Sequence, residues 1–260
     1  MKKFLLGSVA LAAMVAGPAM AADMPLKAPP PVVYYNWSGC YVGGHVGGKV
    51  GRAEVSYGAV SPLIAAIVAP GLAATGPIWL SGALGGAQVG CQYEFAGGWL
   101  IGVEGDGSWT QADGQGVETA FPNFRIKTTE HWMATARARL GYAWDKWMFF
   151  VTGGGAWAEL QTSNWNTAFV VAGNGAGFPA AIQNNTVSGW TVGFGAEYAL
   201  GYGWSVKGEY LYMDFSNSTF FTPTDRTALA EMNVRLRQSV ARFGINYKFD
   251  WGYGPVVARY

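Results

Sequence analysis

The chain has 260 residues, 13% of them charged, with 17 Lys and Arg against 16 Asp and Glu and a formal net charge of +1. Glycine accounts for 38 positions, and 12 Trp, 13 Tyr and 14 Phe bring the aromatic share to 15%. So balanced a charge gives no electrostatic footprint for a nucleic acid, and the composition is unlike that of a soluble enzyme. The length admits one barrel of moderate size or one to two ordinary domains.

Met1-Lys2-Lys3, an apolar run from Phe4 to Ala16 and the small-x-small triplet Ala19-Met20-Ala21 are the three parts of a secretory signal, so residues 1–21 are expected to be removed after Ala21. Gly17-Pro18 stops the apolar run short of the roughly 20 residues that a transmembrane anchor needs. Losing Lys2 and Lys3 leaves a mature net charge of about −1. Residues 22–36 hold four prolines and read as an extended periplasmic linker. No later stretch reads as a spanning helix, since Pro70, Gly71, Gly76 and Pro77 interrupt the apolar run Leu63–Leu80. A membrane-embedded chain of this kind must therefore be a closed barrel, because open strand edges go unsatisfied in lipid.

From Trp37 onward the pattern has a period of two, the signature of strands. The first strand, 37–57, sets Cys40, Val42, Val46 and Val50 on one face and Tyr41, His45 and Lys49 on the other. Residues 58–81, rich in Pro, Gly and Ala, read as a long loop. The second strand, 82–95, alternates Ala83, Ala87, Val89, Cys91, Tyr93 and Phe95 with Leu84, Gln88, Gln92 and Glu94. After the turn 96–98, the third (98–111) sets Trp99, Ile101, Val103 and Trp109 against Gly102, Glu104, Asp106 and Ser108. A second loop, 112–127, precedes the fourth strand, 128–143. There Trp132, Ala134, Ala136, Ala138, Leu140 and Tyr142 oppose His131, Thr135, Arg137 and Arg139. The turn 144–146 leads to the fifth strand, 147–161, with Trp147, Phe149, Val151 and Trp157 outward, and a third loop covers 162–186.

Ser188–Phe215 shows the plan most clearly. Trp190, Val192, Phe194, Ala196 and Tyr198 alternate with Thr191, Gly193, Gly195 and Glu197. After the turn 200–203, Trp204, Val206, Gly208, Tyr210 and Tyr212 alternate with Ser205, Lys207 and Glu209. The apolar face is aromatic, while the polar face lacks the large aliphatic residues that would fill a soluble core. An apolar outside around a polar inside is the polarity of a transmembrane barrel. The spacing Tyr198–Trp204–Glu209 repeats Tyr93–Trp99–Glu104, 105 residues earlier. A fourth loop, 216–231, leads to the eighth strand, 233–249, with Ala241, Phe243, Ile245, Tyr247 and Phe249 outward and Arg242, Gly244, Asn246 and Lys248 inward. Eight strands, with three short turns alternating with four long loops, describe an all-β, antiparallel, up-and-down barrel over 37–249, followed by a C-terminal extension, 250–260.

The inward set then contains His45, Lys49, Glu94, Glu104, Asp106, Arg137, Arg139, Glu197, Lys207, Glu209, Arg242 and Lys248. Side chains about fill an eight-stranded bore, and unpaired buried charge is costly, so these groups are expected to pair and plug the lumen. The alternative is an ion-selective channel. No catalytic constellation is legible: His45 and His131 are the two histidines, and a Gly-x-Ser-x-Gly elbow is absent. Gly43–Lys49 resembles a phosphate loop in outline, but Val50 stands where a Ser or Thr belongs. No metal-ligand spacing occurs. Cys40 and Cys91, on the same face of neighbouring strands, are expected to form one structural disulfide.

Several motifs together resemble a family. They are the Ala22-Asp23 start with its Pro-rich run, Asn36-Trp37-Ser38-Gly39-Cys40-Tyr41-Val42-Gly43-Gly44, Gly189-Trp190-Thr191-Val192-Gly193, Lys207-Gly208-Glu209-Tyr210-Leu211-Tyr212-Met213-Asp214-Phe215 and Arg242-Phe243-Gly244-Ile245-Asn246-Tyr247-Lys248-Phe249. Along essentially the whole mature chain they look like the small OmpA-like, porin-family outer-membrane proteins of alphaproteobacteria. The resemblance implies an eight-stranded barrel in the Gram-negative outer membrane, surrounded by its lipids and lipopolysaccharide. It also implies insertion by the barrel-assembly machinery through a C-terminal aromatic, here Phe249 or Tyr260. Support of the envelope is the implied role, with no cofactor. Some relatives are described as hemin-binding or as adhesins, which would place a hemin or host-surface ligand on the external loops. No peptidoglycan-binding domain follows the barrel.

Overall fold

Among the described residues, the eight long strands are each paired on both sides, and the pairing runs in a ring. The computed structural model describes residues 35–60, 65–120, 122–166, 179–220 and 230–249. The strands are β1 (Gly39–Val60), β2 (Ile78–Phe95), β3 (Trp99–Val117), β4 (Phe124–Trp144), β5 (Trp147–Asn166), β6 (Pro179–Gly201), β7 (Trp204–Phe215), β8 (Ser218–Phe220) and β9 (Ala230–Phe249). Each of β1 to β7 pairs antiparallel with the next; β9 then pairs with β7 and closes back on β1. The three-residue β8 pairs with β9 beyond the end of β7, so β7 and β8 form one interrupted wall and the barrel is eight-stranded.

The register fixes the geometry. Paired residues lead from Cys40 through Cys91, Val103, Ala138, Gly153, Val192, Tyr212 and Ser239 back to β1 at Val50, ten residues further along. An eight-stranded barrel with that stagger has strands tilted by about 40° and a bore that side chains fill. The short turns use backbone that most residues avoid: Gly201 and Gly203 sit at φ 100° and 83° around Tyr202 at 53°. A Cβ on Gly203 would also lie 2.9 Å from the Lys248 carbonyl oxygen.

The three short turns fall where the sequence places them, but the strands run much further outward than expected. Of the stretches expected as loops, 162–186 is strand wherever it is described, and strand also takes in 58–60 and 78–81 of the first, 112–117 and 124–127 of the second, and 218–220 and 230–231 of the fourth. Part of the first of these adds wall beyond β2. The Ala74 nitrogen donates to Val55 at 2.8 Å, the Thr119 nitrogen donates to Ala74 at 2.8 Å, and isolated bridges join Ser56 to Ala73 and Thr75 to Glu118. The physical reason is a change of polarity. Along the outer face of β1, Val42, Val46 and Val50 give way to Arg52, Glu54 and Ser56, while the inner face changes from Tyr41, His45 and Lys49 to Ala53, Val55 and Tyr57. A pattern traced as apolar-outward ends at that switch, although the backbone ladder continues. The signal segment 1–21, most of the linker, the extension 250–260 and hence Tyr260 lie outside the described residues; Phe249 ends β9 opposite Cys40.

Outside, the lower part of the barrel is a band of exposed Val, Ile, Leu and Phe above an aromatic ring. Trp99 packs against Tyr142, Trp147 against Tyr198 and Trp204 against Tyr247, with ring centroids 5.5, 4.8 and 5.0 Å apart. Trp109, Trp157 and Trp190 mark the upper edge on β3 to β6. An apolar band between aromatic girdles is the outer surface of a transmembrane barrel.

Candidate functional site

The lumen is the place where this sequence concentrates chemistry, and it is layered. At the periplasmic mouth the chain ahead of β1 turns inward. Trp37 is buried with Leu100, Met148, Phe150 and Ala199, and Tyr35 packs beside them. The Trp37 nitrogen donates to Glu94 at 3.0 Å, and its carbonyl accepts from the Gln92 amide at 2.9 Å. Lys248 donates to the Asn36 carbonyl and lies 4.8 Å from the centre of the Tyr35 ring. Residues 35 and 36, read from sequence as the end of a linker, and Trp37, read as the start of the first strand, are therefore a cork. Met148 and Phe150 explain why the inner face of the fifth strand is so apolar: they are its seat.

Above the cork, four carboxylates meet four cations. Glu104 accepts from Tyr41 Oη at 2.6 Å, Arg137 Nη2 at 2.5 Å, Lys207 Nζ at 2.9 Å and Arg139 Nη1 at 3.3 Å. Glu209 takes Arg137 Nη1 at 2.8 Å, Arg242 Nε at 2.6 Å and Lys207 Nζ at 3.1 Å. Asp106 holds Arg242 through two bonds of 2.9 Å and accepts from Arg137 at 2.9 Å and Thr135 at 2.5 Å. Glu197 accepts from Arg139 at 3.2 Å, Asn246 at 2.9 Å and the Ser205 hydroxyl. Arg139 also lies over the Phe150 ring, 4.0 Å from its centre, which ties the network to the cork. Every acid in this layer touches at least one guanidinium, the arrangement that offsets the cost of burying charge.

One level higher, Lys49 Nζ stands 2.5 Å from Glu130 Oε1, both side chains 1% exposed. Beyond that pair the lumen is largely apolar, with Glu118, Thr75, Thr128 and Thr162 among its buried polar side chains. Leu80, Leu84, Met133, Leu160, Val187, Leu211, Met213, Phe215, Met232, Leu236 and Val240 belong to one cluster, which Val68 and Ala74 join from the segment beyond β1.

Of the twelve charges expected to face inward, eleven are buried and Glu94 is half-buried at the mouth. Glu104, Asp106, Arg137, Arg139, Glu197, Lys207, Glu209 and Arg242 form the network, Glu94 and Lys248 hold the cork, Lys49 pairs above, and His45 lines the wall. The sequence missed Glu130 and misplaced His131. A bulge in β4 between Glu130 and Met133 reverses the alternation, so Ile126, Thr128 and Glu130 face inward from one side of it and Thr135, Arg137 and Arg139 from the other. His131, caught at the bulge, is exposed instead of facing the lumen. A parity count started from the external end would have found Glu130.

His45 has a partner that the sequence did not reveal. Its Nε2 is 2.7 Å from Ser108 Oγ, inside the barrel. A serine beside an imidazole is half of a nucleophilic constellation, but the other half is missing. Nδ1 of His45 has no hydrogen-bond partner, and Asp106, the nearest acid in sequence, is engaged by Arg242, Arg137 and Thr135. No set of three His, Cys, Asp or Glu side chains that could hold a metal occurs among the described residues. Cys40 and Cys91 are joined in a disulfide between β1 and β2 on the outer wall.

Known proteins agree with this architecture. The family described as outer membrane protein beta-barrel domain matches residues 8–249. The chain is similar to the 31 kDa outer-membrane immunogenic protein of Brucella melitensis, 30% identical over 256 residues that cover 96% of this chain and 100% of the relative. Among solved structures it is similar to the outer membrane protease OmpT of Escherichia coli, at 7% identity and a TM-score of 0.48, covering 81% of this chain and 97% of that one. It is also similar to the outer membrane protein OprG of Pseudomonas aeruginosa, at 13% identity and a TM-score of 0.43, covering 82% and 97%. Likeness at those scores carries no argument about activity.

Proposed function

The chain belongs to the outer-membrane protein β-barrel domain family, and we propose that it serves in the outer membrane as a sealed structural barrel supporting the envelope. The observation that carries this reading is the filling of the bore along its length. The Trp37 cork lies at one end, charge-paired side chains fill the membrane level, and an apolar cluster fills the external half. An ion crossing this bore would have to separate Arg137 and Arg242 from three carboxylates and then pass a layer whose lining is largely apolar. Both steps carry large desolvation costs. Catalysis has no support in the incomplete His45–Ser108 pair.

The test is planar-bilayer recording with folded monomer, identified by its heat-modifiable migration. The expected trace shows no steady conductance; a steady, large single-channel conductance overturns the reading. A second reading, a surface receptor or adhesin, is favoured by the exposure of Ile67 and Leu72 at the external end. Its test is a folded variant with 65–72 replaced by Gly and Ser, assayed for adherence to host cells beside the parent. Unchanged adherence removes that reading.

A further inference from the structure

The outer wall carries a charged group at one place where a barrel normally presents aromatics. About ten residues of a tilted strand cross the apolar layer. Arg52 follows Cys40 by 12 positions on β1, and Arg237 precedes Phe249 by 12 on β9, so both stand just above the band. On β3, β5 and β6 that edge is held by Trp109, Trp157 and Trp190. At the closing seam of the barrel it is held by arginine.

The register makes this arrangement costly if left alone. Arg52 lies directly opposite Arg237, and Glu54 opposite Arg235. Like charges facing each other across an antiparallel pair repel. Asp214, opposite Arg237 across β7 and β9, and Glu54 offset it only in part. Asp214 is taken by Arg235 through two bonds, Nε to Oδ1 at 3.2 Å and Nη2 to Oδ2 at 2.9 Å. Glu54 is 3.1 Å from Arg52. Arg237 is left with long contacts, 3.5 Å to Asp214 and 3.8 Å to Glu54. Three guanidinium groups thus share two carboxylates, and their side chains remain 38–46% exposed.

Beneath the arginines the wall is shallow. Val50 and Ser239 form the next outward row, followed by Gly48, Ala241 and Ala83. The same side of the barrel then opens into an apolar depression of about 740 Å³, bordered by Gly44, Ala87, Val89, Gly107, Ile245 and Tyr247. A cationic head at the leaflet surface above an apolar trough is complementary to one kind of molecule. We propose that Arg52, Arg237 and Arg235 dock the phosphate of an outer-leaflet glycolipid, with an acyl chain lying over Gly48 and Ala241 toward the depression at Gly44. The planar guanidinium fork suits a phosphate shared between two arginines.

The test uses the full chain purified in mild detergent, with binding read by native mass spectrometry and by the midpoint of the heat-modifiability transition. The probes are lipid A carrying its phosphates, the same glycolipid with the phosphates removed, and inorganic phosphate. The parent is expected to retain the phosphorylated glycolipid and to melt higher in its presence. R52Q/R237Q is expected to bind it at least about tenfold more weakly. Gly48→Leu blocks the trough without touching the arginines; a Cβ there meets nothing closer than 4.0 Å, and heat-modifiable migration checks that the variant is folded. That variant is also expected to weaken glycolipid binding. Parent-like affinity in both variants overturns the proposal. So does equal binding of the dephosphorylated glycolipid, or an equal effect of inorganic phosphate, which would reduce the patch to a general anion contact.

Discussion

The two halves of this barrel are built from the same strands with opposite polarity. In the membrane half, Val46, Val89, Val103, Val151 and Phe243 face outward while Glu104, Asp106, Arg137 and Glu209 face inward. In the external half, Arg52, Glu54, Asp113, Arg235 and Arg237 face outward while Val55, Ile78, Leu160, Leu211 and Leu236 face inward. Neither change costs the backbone anything, since the hydrogen-bond ladder between β1 and β9 runs past the switch from Cys40 to Tyr57 without interruption. The solvent outside each level decides which residues that level tolerates. Where lipid surrounds the wall, the remaining polar groups must find each other in the bore. Where water surrounds it, the bore becomes an ordinary apolar core.

The sharpest way to break this contrast is to remove one carboxylate from the membrane half. Glu104→Ala leaves Arg137, Arg139 and Lys207 short of a counter-charge. It is expected to lower stability by about 3–5 kcal/mol, read from denaturant unfolding in detergent followed by gel migration. A loss below about 1 kcal/mol would mean that the network is not held as a paired unit. The next effect compares one substitution at two heights of the outer wall. Val151→Lys, in the lipid band, is expected to cost about 2–4 kcal/mol. Gln111→Lys, on the exposed face of β3 near the external edge, is expected to stay within about 0.5 kcal/mol of the parent. Equal costs would remove the boundary between the halves.

The smallest expected effect concerns the one acid that the external core buries beside a tyrosine. Burial lifts the Glu118 carboxyl above its ordinary range, and the bond from Tyr57 Oη at 2.6 Å offsets only part of that. A raised folded-state value means that the folded form binds the proton more tightly. The stabilisation is therefore complete below the ordinary glutamate range and is lost as pH rises through the higher folded value. Measured from about pH 4 upward, the parent should lose stability relative to Glu118→Gln, whose amide does not titrate. A pH-independent difference between the two would contradict this.

How much of the molecule could be read in advance follows the same division. Ser188–Glu209 was legible because its outward face is aromatic and apolar and its inward face polar or glycine, with Glu197 opposite Lys207. Beyond it Leu211, Met213 and Phe215 turn the inward face apolar, which the sequence reading passed over. The external half was not. Stretches such as Gly114-Gln115-Gly116-Val117 carry glycine and polar residues at turn-like density, yet they sit in a continuous ladder with β4, with the Ile78 side chain of β2 packed over both glycines. Of the lumen, the charges on unbroken strands were identifiable from parity. Glu130 was hidden by a bulge that no local signal announces, and the Ser108 contact of His45 depends on the pairing of β1 with β2 and of β2 with β3 rather than on spacing. The cork was missed because Trp37 was read as the first residue of the alternation, whereas β1 begins only at Gly39 and Trp37 turns into the bore ahead of it.

The disulfide acquires a meaning from the order in which the strands arrive. β1 obtains its second neighbour only when β9, the last strand of the chain, returns to close the ring. Until then one edge of β1 is an open ladder of unpaired amides, a template for any passing strand. The Cys40–Cys91 bond, spanning 51 residues, fixes β1 to β2 at the lower end, next to the position where Phe249 must eventually pair. An oxidised chain therefore waits with its first hairpin already in register. What β9 meets is a prepared edge, and the last step of assembly becomes the docking of one strand instead of the sorting of two.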